Sequence, residues 1–192
     1  MAHLRYLLLS LVLILGFIAA GCGSGGTGGG TGDSLESAAA DQVVPTGLRS
    51  EKTRSTIPSA APDEINELVG GNKKFAVRLY HKLEDDLGGN LFYSPYGISF
   101  TLAMAYAGSH GYTEEQMTGA LSFSLPQERL HDAFNALDLD LAGRAGWSNT
   151  ASVWGQGGHP FLPDFCDKLC VNYGAELYTG DFKNAKADVV NG

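Results

Sequence analysis

Apolar residues recur at helical spacing through DEINELVGGNKKFAVRLYHKLEDDLGGN. Ile65, Leu68, Val69, Phe75, Ala76, Leu79, Tyr80, Leu83 and Leu87 stand mostly three and four positions apart, which predicts an amphipathic helix. Pro62 and Asp63 suit its start and Gly88-Gly89 its stop, while Gly70-Gly71 offers a place to split it in two. The next stretch, LFYSPYGISFTLAMAYAG, has no charged residue at all. Pro95 behind Ser94 reads as the first turn and N-cap of a helix from about Tyr96 to Ala107, apolar all round. Such a helix rises about 18 Å, well short of a hydrocarbon core about 30 Å thick. It is expected as a buried helix, with Ala103, Ala105 and Ala107 allowing close approach of its neighbours.

In GYTEEQMTGALSF, Thr113 and Gln116 form a capping-box pattern. In LPQERLHDAFNALDLDLAG, Leu130, Ala133, Phe134, Leu137 and Leu141 share one helical face. The period then changes. NTASVWGQ, bounded by glycines and rich in β-branched and aromatic residues, reads as a strand. FLPDFCDKLCVNYG returns to helix with Phe165, Leu169 and Tyr173 inward, AELYTGDF reads as a second strand, and KNAKADVVNG opens a further helix. The pattern predicts an α+β fold of four or five helices with two strands.

The N-terminal stretch is read differently. MAHLRYLLLSLVLILGFIAAGC has a positive charge at Arg5, an apolar run from Tyr6 to Leu15 broken by Ser10, and small residues before Cys22. That is the layout of an export signal over residues 1 to 21. The cysteine directly after the small residues resembles a bacterial lipobox, which makes Cys22 the candidate lipidation site and mature N-terminus. Ala19 stands where leucine is usual, and ordinary signal-peptidase cleavage is the alternative. The apolar run is short for the roughly 20 residues of a membrane-spanning helix. GSGGTGGGTG follows at residues 23 to 32. Its literal G-x-G-x-x-G (Gly21, Gly23, Gly26) follows no strand and opens no helix, so it reads as a flexible tether and not as a nucleotide loop. Low complexity and prolines continue to Pro62. The chain therefore divides into residues 1–21 as signal peptide, 22–62 as flexible spacer and 63–192 as a folded domain.

Composition narrows the chemistry. The 192 residues are 44% hydrophobic and 18% charged, enough for one domain with a real core. A net charge of −8, with no Lys/Arg cluster, speaks against nucleic acid as a partner. Cys166 and Cys170 lie four apart on one helical face, placed better for burial than for a disulfide or metal site. His81, His110, His131 and His159 fit no zinc spacing or nucleophile pattern and read as solvated or packed, with His131 suited to a helix surface. The acid pairs Asp85-Asp86 and Glu114-Glu115 read as solvated helix charges. No enzyme, cofactor or metal is expected.

Several segments together carry a family resemblance. NLFYSPYGISFTLAMAYAGSHGYTEEQM, LSFSLP, LHDAFNAL, ASVWGQGGHPF and NYGAELYTGDF, over about residues 64 to 191, resemble the N-terminal half of a serpin in order and spacing. The resemblance implies part of a large central sheet covered by helices. It implies a shutter region beneath that sheet, to which Ser94 and Asn191 correspond; Gly97 and Ala151 stand where a serine and an asparagine are usual. It also implies a function without a catalytic group: a reactive loop near the C-terminus is cleaved by a serine or cysteine protease, inserts into the sheet as a strand, and carries the trapped enzyme with it. The sequence reaches Gly192 before any segment resembling that loop. The expectation is therefore an exported serpin, lipid-anchored through Cys22, whose N-terminal portion alone inhibits nothing. A non-inhibitory, surface-tethered binding module and a truncated serpin relic are the alternatives.

Overall fold

A computed structural model describes residues 46–48, 50–87 and 89–182, which fall within one unit, Val44–Lys183. The expected signal peptide, Cys22, the tether to residue 45, the helix opened by KNAKADVVNG and Asn191 all lie outside the described residues.

Helix α1 runs without interruption from Pro62 to Leu87, so the glycine pair does not split it. The reason is proximity. A Cβ on Gly71 would lie 2.4 Å from the backbone oxygen of Ser122, whereas one on Gly70 would meet nothing within 4 Å. Gly71 lets another chain segment approach the helix backbone, a packing role that outweighs its helix propensity. At the start of the helix, a Glu64 carboxylate oxygen accepts from the Ala61 amide at 2.8 Å, satisfying a donor at the helix entry.

Helix α2, Pro95–Tyr106, begins with Ser94 as N-cap and Pro95 in the first turn, as the sequence predicts. Its burial is one-sided: Ser99, Phe100, Ala103, Met104 and Tyr106 are buried, but Ala105 is exposed. Helix α3, Tyr112–Leu121, starts one residue ahead of the expected Thr113 cap. Gly111, at φ +58°, takes the cap position with no side-chain hydrogen bond. Helix α4, Gln127–Ala142, buries Leu130, Ala133 and Phe134, and also His131, Asn135 and Asp138. The expectation of a surface His131 is corrected: it is 1% exposed.

Strand β2, Val153–Gln156, lies parallel to strand β3, Leu177–Gly180, with Trp154 opposite Tyr178. The two rings stack at 5.0 Å. Helix α5, Pro163–Lys168, and a π turn, Leu169–Tyr173, connect them. A third strand comes from the segment read as spacer. Strand β1, Thr46–Leu48, pairs antiparallel with β3 and gives the order β1-β3-β2.

Residues 50–61 likewise depart from the expected flexible spacer that runs to Pro62. They form a strap tied to α4, α5 and the π turn by Ser50, Lys52, Arg54, Ser55 and Ser59. Low hydrophobicity hid this order because the attachments are polar.

The core lies where α2, α4 and the π turn converge. Phe134, fully buried, has the rings of Tyr96, Phe100, Phe123 and Tyr173 within 6.4 Å. Phe100 and Phe123 meet it edge to face, the favoured aromatic geometry.

Candidate functional site

The start of α2 organises the candidate site. Ser94 has extended backbone, φ −110° and ψ 102°, and its Oγ accepts from the Gly97 amide at 3.1 Å. Position 97 faces that hydroxyl closely, since a Cβ there would lie 3.3 Å from Ser94 Oγ. One turn further on, the Thr101 hydroxyl donates to the Gly97 carbonyl at 2.9 Å. Ser99, fully buried, donates to Asn72 Oδ1 at 2.6 Å and so pins α2 to α1. Ala151 is half-buried and, like Tyr96 and Ile98, packs against the main core. The structure brings Ser94 and Gly97 together at the start of α2; Asn191, the other predicted shutter residue, is outside the described residues.

A polar network lies beneath Tyr96. Asp138 is almost completely buried, and its carboxylate accepts from Arg54 at 2.8 Å, Asn149 at 2.9 Å and the Tyr96 hydroxyl at 3.4 Å. Arg54 Nε also donates to Asn135 Oδ1 at 2.9 Å, and Asn135 Nδ2 donates to the Ser55 carbonyl at 2.9 Å. Burial, reinforced by the Asp138 carboxylate, pushes the Tyr96 phenol well above its ordinary range, so it stays a neutral donor. A buried ion pair of this kind is costly to break, because removing one partner leaves the other charge desolvated and alone.

A second buried polar pair joins α4 to the π turn. His131 Nδ1 is hydrogen-bonded to the Tyr173 hydroxyl, while Nε2 has no hydrogen-bond partner among the described residues. Burial, with a smaller contribution from Lys168, holds the imidazole down to about 4. Burial also raises the Tyr173 phenol well above its usual range. Both groups are therefore neutral at physiological pH.

The arrangement offers structural polar clusters and no reacting constellation. Among the described residues no group of three or more His, Cys, Asp or Glu could hold a metal ion, and no helix is long and apolar enough to cross a membrane. His110 and His159 are exposed, and His81 sits 3.8 Å from Glu84 on the surface of α1. Cys166 and Cys170 are free and half-buried; Cys170 Sγ donates to the Lys52 carbonyl at 2.9 Å.

The buried polar residues carried a readable signal. His131, Asn135 and Asp138 stand at i, i+4 and i+7, a polar stripe beside the apolar stripe of Leu130, Phe134 and Leu137. Two parallel stripes of different polarity mark a helix packed on both flanks. Nothing local marked Arg54 as their partner, because it lies 81 and 84 positions away from Asn135 and Asp138.

Comparison with known proteins agrees with this architecture. The family model described as "Serpin (serine protease inhibitor)" matches residues 70–192. The chain is similar to leukocyte elastase inhibitor A of Rattus norvegicus, 33% identical over 129 residues, covering 65% of this chain and 34% of that protein. It is 35% identical over 129 residues to leukocyte elastase inhibitor of Sus scrofa, with the same coverage. It thus spans about a third of the length of these relatives. Among solved structures, human glycosylated kallistatin matches with a TM-score of 0.57 and 24% identity, covering 63% of this chain and 35% of that one. Emu ovalbumin matches with a TM-score of 0.53 and 18% identity, covering 62% and 35%. At these identities the solved structures bear on the fold alone. The family match spans well over half the sequence and includes α2, α4 and both parallel strands: this chain belongs to the serpin family.

Proposed function

We propose that this chain is the N-terminal part of an exported, lipid-tethered serpin that inhibits a serine protease by conformational trapping. The observation that carries the reading is the serpin match across residues 70–192, supported by relatives named as leukocyte elastase inhibitors. Ser94 and Asn191 are assigned to the shutter by their correspondence to the family pattern. The N-cap geometry of Ser94 is compatible with that role, because an exposed hydroxyl at the start of α2 is free to take a second partner. Cys22 supplies the lipid attachment, which puts the inhibitor at a membrane surface.

The test is complex formation. The whole polypeptide encoded by the gene, including anything beyond Gly192, is incubated with a pancreatic or neutrophil elastase probe. An SDS-stable complex of summed mass supports trapping, whereas cleavage without a complex across a panel of serine proteases overturns it. Labelled palmitate incorporated into the wild-type chain but not Cys22→Ser tests the tether separately.

A second reading, a non-inhibitory tethered binding module, is favoured by Gly97 and Ala151. Both lack the polar side chain usual in the family, and at Gly97 the side chain would have lain against Ser94. Cleavage without trapping, combined with unaltered thermal stability after cleavage, is the outcome this reading expects.

A further inference from the structure

Residues 50–59 lie along α4, α5 and the π turn as an irregular segment, and the bonds that hold them are almost all polar. The Ser55 amide donates to the Val171 carbonyl at 2.9 Å, and the Ser55 carbonyl accepts from Asn135. Both backbone groups of one residue are thus read, as in the docking of a β-strand peptide. Arg54 enters the pocket formed by Asn135 and Asp138. Two residues earlier Lys52 pairs with Asp167 at 2.7 Å, and its carbonyl accepts from Cys170. Ser50 donates to Asp167, and Ser59 donates to Asp132. The one large apolar residue in the segment, Ile57, is 88% exposed.

This is the chemistry of a ligand in a groove more than that of a core element. The groove supplies three carboxylates, an amide side chain, a thiol, a backbone carbonyl and, at Ser59, the Arg129 guanidinium, and the segment supplies two cations, hydroxyls, one amide and the carbonyls of Lys52, Ser55 and Ser59. Its surface bonds, such as Lys52 with Asp167, exchange readily with water. The bonds at Asn135 and Asp138 are covered, since with Arg54 in place those side chains are 0% and 2% exposed, and its departure leaves the Asp138 carboxylate without its cation. An emptied groove therefore retains a demand for a guanidinium at one defined position.

We propose that this groove is a recognition site for a Lys-x-Arg-Ser peptide, filled in cis by the chain's own Lys52–Ser55 and open to the same segment supplied in trans. Asp138 also accepts from Tyr96 in the first turn of α2, so occupancy of the groove is felt where that helix begins. The inference is independent of protease inhibition.

The full chain and a synthetic peptide of residues 50–59 test it. The tethered segment has an effective concentration on the order of millimolar, so unlabelled peptide is added at several millimolar while exchange of the Ser55 amide is followed. Loss of protection by about fivefold or more is expected; unchanged protection overturns the proposal. In parallel, fluorescein-labelled peptide is titrated into wild type and into Arg54→Ala/Ser55→Pro, whose own segment is weakened. Binding to the variant at least tenfold tighter than to wild type is expected, and it must be lost when the peptide itself carries Arg54→Ala. Equal binding to both proteins, or binding indifferent to the peptide's arginine, overturns the proposal. Should the variant fail to fold, the exchange experiment on wild type decides alone.

Discussion

His131 gives a quantitative test of how the α4–π turn junction is held. Its ring is buried between Tyr106 and Tyr173, faces Lys168 and Asp132 electrostatically, and titrates at about 4 in place of 6.5. The unfolded chain therefore binds a proton more readily than the folded one. Stability is complete above about pH 6.5 and is lost as pH falls toward 4. Integrated from pH 8 to pH 5, the difference amounts to about 2 kcal/mol. Urea unfolding followed by circular dichroism measures it, on wild type and on His131→Gln, at half-unit steps over that range. The absolute stability of the variant is not the readout, since the substitution also disturbs the Tyr173 hydrogen bond. The slope is. Wild type should lose roughly 2 kcal/mol more than the variant between pH 8 and 5. Parallel profiles would show that His131 is solvated, or already charged, in the folded state, and would refute the reasoning.

The two glycines of α1 should respond oppositely to alanine: Gly70→Ala stabilises by about 0.5–1 kcal/mol through helix propensity. Gly71→Ala should cost roughly 1–3 kcal/mol, because its Cβ collides with the Ser122 backbone, and chemical denaturation of both variants checks the pair. Phe134→Ala should cost about 3–5 kcal/mol by opening a cavity among four rings, read by the same assay. The Arg129 guanidinium, helped by the Ala61 amide, holds the Glu64 carboxyl down to about 2. The stabilisation is present above about pH 4.5 and is lost as pH falls toward 2. A carboxyl-carbon NMR titration should place the wild-type midpoint near 2, and Arg129→Met should move it up toward the ordinary glutamate range. Ser94→Ala should cost about 1 kcal/mol as a lost N-cap, whereas Ser94→Asp should retain most of it in a thermal melt.

The helices were legible because each writes its own period. Leu130, Ala133 and Phe134 announce the buried face of α4 regardless of what covers it, and Ser94-Pro95 announces the start of α2. The parallel strands were legible from β-branched and aromatic residues between glycines, though not their pairing, which depends on a crossover of about twenty residues. The strap leaves no signature in the sequence for a physical reason. Arg54 and Ser55 are ordered by Asn135, Asp138 and Val171, and a segment held by distant polar partners has neither period nor hydrophobicity. The site shows the same division. Ser94 was readable as a cap because its partner, the Gly97 amide, is three residues away. The Arg54–Asp138 pair was not, and the burial of His131 became evident only with Tyr173 in place.

The strap also sets an order in time. A ribosome delivers residues 50–55 early, but Asn135 follows Arg54 by 81 positions and Asp167 follows Ser50 by 117. At synthesis rates of about 5–20 residues per second, Arg54 and Lys52 wait on the order of ten seconds for the acids that will neutralise them. During that interval the segment is an unpaired basic stretch on a nascent acidic chain, accessible to targeting factors and proteases alike. A polar strap suits such a wait, since it has little apolar surface with which to aggregate before its groove exists.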